Sequence, residues 1–499
     1  MRSRPTLRLG VLAAACVLAA CGGAHAQTPT PTTASTAIPA AASAHAVLRD
    51  WPEFGLDAQR SDVSELSSDI TSANVGHLRR TTISLPGTVD SSPIYLHGAI
   101  VDGAPHNTIV VTTTYGRTVA VDADSGRTLW TFTPAGIRGW AGSAQITTAS
   151  PIADPDGDFI YTASPNGLIH KLSLSSGAEL RTGSWPVSIT RDATHEKIAA
   201  ALNIAGPWLI VATGGYIGDT PPYQGHVVLI NRRSGQSASI FNTLCAERRE
   251  LQVPSTCSAS DSAILSRAGA VVEPGGARIL IDTGNAPWNG ATDFGDSVLE
   301  LTLPGLALRQ AFTPANQAQL NSTDTDLGSS APALLGDGRA VVAGKDGVMR
   351  VLDLARLDGH APGGPERLGG ELQRLSVPGG AQLFTAPAVW RRSGITTVFV
   401  ADESGTAAYV MRDGLLYRAW QNTNAGTSPV MVGGLLYVYD PSAGGIYVYS
   451  PSSSRPIARL AGRPGHWNSP IVVDGHVVEP EGNANDHSLT GTMDIFSAG

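Results

Sequence analysis

Lysine is almost missing from this chain: Lys171, Lys197 and Lys345 are the three in 499 residues, and 34 basic side chains face 42 acidic ones for a net charge of −8. So little positive charge leaves no footprint for gripping a phosphate backbone, and nucleic-acid binding is excluded. Charged residues of both signs make up only 15% of the chain. No HExxH spacing, GxSxG elbow or P-loop occurs, so zinc hydrolysis, a serine nucleophile and nucleotide binding have no local support. Beyond the first 20 residues no apolar run is long enough for a membrane-spanning helix. Long helical periods are absent too, because 56 glycines and 33 prolines punctuate the sequence every few residues. A helical bundle or long coiled coil is therefore excluded, and the length suits two or three ordinary domains or one large repeat-built one.

The N-terminus has a composition of its own. Arg2, Arg4 and Arg8 precede the 12-residue run Leu9 to Ala20, followed by Cys21-Gly22-Gly23. That run is too short to span a bilayer and reads as a signal peptide over residues 1–20. Leu18-Ala19-Ala20-Cys21 resembles a bacterial lipobox, which implies that Cys21 carries a lipid; an ordinary secretory signal cleaved after Ala24 or Ala26 is the alternative. In a cell with two membranes, Gly22 after the cysteine resembles lipoproteins sent to the outer membrane. Residues 21–46 are Ala, Thr, Pro and Ser without charge beyond Cys21, a tether that reaches roughly 75 Å when extended at ~3 Å per residue. The expected location is therefore exported and lipid-anchored, on the periplasmic or cell-surface side. There Cys245 and Cys257 are expected to close a 13-residue loop, worth about 3 kcal/mol by loop entropy, with two free thiols as the alternative.

From residue 47 to 499 the chain repeats. A small residue followed by proline and an apolar run recurs at Ser92, Ser150, Gly206, Ala331, Ala386, Ser428 and Ser469, with spacings of 58, 56, 125, 55, 42 and 41. The long gap holds two units, the second opening near Arg267 to Glu273, which makes eight. Inside the units the period is two: "TIVVTTTYGRTVAVDADSGRTLW" reads as strand, turn, strand, turn, strand, and "LLYVYDPSAGGIYVYS" repeats the scheme. Four short antiparallel strands per unit and eight units predict an all-β, eight-bladed, monomeric β-propeller.

The run Ala120-Val121-Asp122-Ala123-Asp124-Ser125-Gly126-Arg127-Thr128-Leu129-Trp130 resembles the A-x-D-x-x-S/T-G-x-x-x-W signature of quinoprotein (PQQ-type) propeller blades. Asn231, Gly235, Asp353 and Trp420 keep fragments of it. "WPEFGLDAQRSDVSEL" from Trp51 and "ANVGHL" from Ala73 resemble the opening of PQQ-dependent alcohol dehydrogenases, in which an N-terminal strand completes the last blade. The resemblance implies a quinone site with calcium. Asn285 in "TGNAPWN" stands at an amide ligand of the metal, Asp326 at the catalytic carboxylate that also faces the metal, and Lys345 in "GKDGVMRVLD" at the basic residue on the quinone oxygens. Against these stand departures. Tyr216 replaces a glutamate ligand in "TGGY", Arg267 falls where a tryptophan floors the ring, and the adjacent-cysteine wall is missing from "QITTASP". Each retained residue also has an ordinary structural role open to it: turn asparagine, strand cap, hairpin tip.

Losing a carboxylate from a dication site predicts that tight calcium binding fails. The leading expectation is a binding or scaffolding lipoprotein without cofactor, somewhat like the outer-membrane assembly lipoprotein of this fold. A protein or small molecule would sit at the central channel, where Tyr216, Asp219 and Tyr223 are expected on a facing loop. A PQQ- and calcium-dependent alcohol or sugar oxidoreductase with an altered site is the alternative. His195 and Glu196 are expected on a short surface helix, and the acidic run 154–158 in a β-turn.

Overall fold

A computed structural model describes residues 46–216 and 220–498. Cys21, the leader, nearly all of the tether and Asp219 lie outside the described residues.

The alternation of apolar residues places one face of each strand against the next sheet, and eight antiparallel blades of four strands result, the seventh extended by the short parallel strand Val63–Ser64. In chain order seven of them span 94–132, 152–188, 203–242, 271–312, 333–376, 388–422 and 430–460. The eighth takes three strands from 471–497 and its outermost one, Arg79–Leu85, from the N-terminus, paired over seven residues with Gly491–Ser497. Each apolar cluster is shared by neighbouring sheets, and one joins the seventh and eighth sheets to Val111 and Val119 of the first, which closes the ring. The molecule is an eight-bladed propeller, and closure leaves no long unpaired edge to protect.

Blade 1 shows how its signature works. Asp122 accepts hydrogen bonds from the Ser125 amide (2.8 Å) and hydroxyl (2.6 Å), and Gly126 takes φ +71°, which turns the chain tightly. The Trp130 indole donates to the Leu174 carbonyl at 2.8 Å and lies over Gly177 of blade 2, where any Cβ would collide with the ring. The tryptophan is thus a wedge between blades. Cys245 and Cys257 are disulfide-bonded beside buried Leu244 and Ala286.

Two expectations are corrected. Gly206-Pro207 does not open blade 3: the first strand is Asn203–Ala205, and Gly206, at φ +56°, makes the hairpin to Trp208–Ala212. The blade entry at Ala201-Leu202 carries no proline. His195 and Glu196 are not on a helix either. Glu196–Lys197 is a two-residue strand paired antiparallel with Gly214–Gly215, and Glu196 is buried because its carboxylate accepts from Thr190 and lies 3.7 Å from His226. Apolar Ile198 to Leu202 then run buried into blade 3.

Residues 47–64 do more than lead into the ring. Their backbone bonds, in turn, to Asp474, Tyr95, Ala153, Val272, Val389 and Met431, all within or just after the first strands of six blades. Buried Arg60 ties this strap down by donating to the carbonyls of Phe54, Leu202 and Ala268. One end of the propeller axis is therefore filled by the chain itself, and the opposite end, toward the segments that lead into the first strands, is left open.

Candidate functional site

At that opposite end the segments entering blades 2 to 6 and blade 8 converge on a cavity of about 410 Å³. Tyr216, Asp326 and Lys345 line it, together with Lys197, Arg267, Phe384, His466 and Trp467.

Asp326 sits at the entry to blade 5 and is 2% exposed. Its Oδ1 accepts the Asn285 amide at 2.7 Å and its Oδ2 is ion-paired with Lys345 Nζ. Gly284 permits this approach, since a Cβ there would collide with Oδ1. Asn285 thus meets Asp326 through its backbone. Burial pulls the Lys345 ammonium down, but Asp326 and Asp324 outweigh it and hold the ammonium above its ordinary value. Behind Asp326 lie two buried acids: burial pushes Asp282 up to about 7 and Asp296 up to about 8. Asp296 accepts the Leu327 amide (3.1 Å) and Asp282 the Ala331 amide (2.9 Å), so they shape the turn that carries Asp326.

On the opposite wall Arg267 Nη2 donates to Asp90 Oδ1 at 2.9 Å. Asp90 Oδ2 also takes the His466 ring (2.8 Å) and the Ala484 amide (2.9 Å). Burial favours a neutral Asp90, but Arg267 and His466 outweigh it and hold the carboxyl well below the usual range. The guanidinium lies 5.2 Å above the Trp467 ring, and Trp467 stacks with Phe384 (4.3 Å between centroids) and His466 (4.0 Å). Tyr216 faces the cavity but spends its hydroxyl on the Ala193 carbonyl at 2.8 Å, and burial raises its pKa.

The structure therefore brings Asn285, Asp326, Lys345 and Tyr216 to one site with Arg267. Sequence reasoning missed Lys197, Asp90, Phe384, His466 and Trp467. Their one local signal was position, since Lys197, Phe384, His466 and Trp467 each lie a few residues ahead of a blade's first strand, where side chains face the axis. Among the described residues, the one group of His, Cys, Asp or Glu with three converging ligand atoms is Cys245, Cys257 and Asp293, whose two sulfurs are spent in the disulfide. Among them, too, no helix is long and apolar enough to cross a membrane.

No protein-family model matches the sequence, and no curated protein does. Solved structures do match the fold. A quinohemoprotein alcohol dehydrogenase from Comamonas testosteroni is 14% identical, with 91% of this chain and 81% of that one covered at a TM-score of 0.63. A europium-containing methanol dehydrogenase is 15% identical over 90% of this chain and 98% of that one, TM-score 0.64. BamB from Moraxella catarrhalis is 13% identical over 84% and 98%, TM-score 0.52. The fold is the eight-bladed propeller of quinoprotein dehydrogenases, and identities this low carry no more than the fold.

Proposed function

We propose that this is an exported, Cys21-anchored binding or scaffolding propeller in which the quinone and metal chemistry of its fold relatives is lost. The observation that carries the reading is the ionic state of the cavity. A hard dication needs six or more oxygens with carboxylates among them. Here the carboxylate in the metal's place, Asp326, is already neutralised by Lys345, Arg267 has taken up Asp90, and Lys197 adds a cation where a dication would need acid. Tyr216 contributes a neutral phenol whose proton is held by a backbone carbonyl. These residues do not fit calcium, and without it no Lewis acid stands beside a quinone.

The oxidoreductase reading keeps one specific support: Asn285, Asp326 and Lys345 do meet at the axis of a propeller shared in fold with alcohol and methanol dehydrogenases. Reconstitution separates the two. Purified protein mixed with PQQ and calcium is expected to show no bound-quinone absorbance and no reduction of an electron-accepting dye with common alcohols. Dye-linked turnover would overturn the binding-protein reading.

A further inference from the structure

Glu196 and Lys197 are consecutive on one strand, so their side chains leave on opposite faces. Glu196 turns into the protein, to Thr190 and His226. Lys197 turns into the cavity. It is 9% exposed, and among the described residues no carboxylate lies within ion-pair distance of it and its ammonium makes no hydrogen bond. The other cations of the cavity are spoken for: Arg267 by Asp90, and Lys345 by Asp326 and Asp324. An unpaired buried ammonium is costly unless it gives up its proton or something outside the chain compensates it. Partly exposed Phe384 and Trp467 form an aromatic wall of the same cavity.

We propose that this cavity binds a small flat carboxylate, an aromatic monocarboxylate, with its anionic group received by Lys197 and its ring packed against the Phe384 and Trp467 wall. The volume of about 410 Å³ suits a one- or two-ring acid, and one negative charge balances the one uncompensated cation. A protonated amine and a carboxylate in a recessed site attract more strongly than at an open surface. The inference rests on the reading that no metal-bound quinone fills this site.

Protonation gives the site a pH signature. Burial, and then Arg267, lower Lys197 to about 7 against the weaker pull of Asp90. Among the described residues the other groups facing it stand in closed pairs, Lys345 with Asp326 and Asp324, and Arg267 and His466 with Asp90, while the Tyr216 phenol stays neutral. A carboxylate that binds the ammonium must therefore bring a proton with it once the free amine has lost one. Affinity is level from about pH 7 down to the ligand's own carboxyl pKa of about 4 and falls toward tenfold per pH unit above about pH 7.

The test is calorimetric titration of the whole exported chain with 2-naphthoate, with the uncharged 2-naphthamide as control. One naphthoate per chain is expected, at least tenfold tighter than the amide, with the alkaline loss just described. Lys197→Met should weaken naphthoate at least tenfold and remove the pH dependence without lowering Tm, since it deletes an unpaired charge; Lys197→Arg should keep binding and carry its pH profile upward. Absence of naphthoate binding, equal binding of the amide, or undiminished binding to Lys197→Met would overturn the proposal. Turnover with PQQ and calcium would instead sink the functional reading on which it rests, so the two failures are distinguishable.

Discussion

Asp90→Asn should destabilise the protein by about 3–5 kcal/mol at neutral pH, the range for breaking a buried charge pair. The substitution keeps the shape of the side chain and one acceptor, but leaves the Arg267 guanidinium buried without a counter-charge and weakens the hold on His466 and the Ala484 amide. These partners tie residue 90, which precedes blade 1, to blades 4 and 8, so the loss falls on contacts across the axis. The pH dependence has a definite sign. A carboxyl held below its unfolded value contributes stability that is fully present above the unfolded pKa near 4 and is lost as pH falls through the folded value. The native chain should therefore lose stability on acidification below about pH 4 more steeply than Asp90→Asn. Denaturant unfolding of both proteins between neutral and acid pH reads this, and parallel curves would show that the Asp90 charge contributes nothing.

Glu479→Gln should act in the other direction. Glu479 is buried in blade 8, neither carboxylate oxygen has a hydrogen-bond partner among the described residues, and Glu481 and Asp494 lie close by. Burial and then these two acids push its pKa well above the ordinary value. A carboxyl raised on folding costs stability as pH climbs from its unfolded pKa toward its folded one, by about 1.4 kcal/mol per pH unit. The amide has no such penalty. Its stability advantage over the native chain should be small near pH 4 and grow as pH rises toward 7, which thermal or denaturant unfolding across that range would detect. A constant difference across the range would contradict it.

The ring was legible because its determinants are local and repeated. Period-two patterning, turn glycines and the Asp122-to-Trp130 run each act within a few residues, and the wedge that Trp130 makes on blade 2 follows from that run. Blade 3 was misplaced by one hairpin because Gly206-Pro207 satisfies a turn as readily as a blade entry. Glu196 was misjudged because the pattern around it suits a helix, while Thr190, His226 and the strand 214–215 that hold it extended come from elsewhere in the chain.

The site was legible only where it resembled a known one. Asn285, Asp326 and Lys345 converge as neighbouring segments of blades 4 and 5. The Asp90, Arg267, His466 and Trp467 group joins positions nearly 380 residues apart, as the 376-residue separation of His466 from Asp90 shows, and no spacing rule encodes that. The unpaired state of Lys197 is equally invisible in sequence, because it depends on every other charge of the cavity having found a partner.

Titrating the metal-free chain with calcium in a calorimeter decides whether the cavity holds, among the described residues, closed ion pairs and one unpaired ammonium in place of a metal-ligand set. No saturable site tighter than about 1 mM is expected, because a dication at Asp326 must displace Lys345 and sit near the Lys197 amine. One calcium bound per chain at micromolar concentration, and abolished by Asp326→Asn, would contradict this expectation.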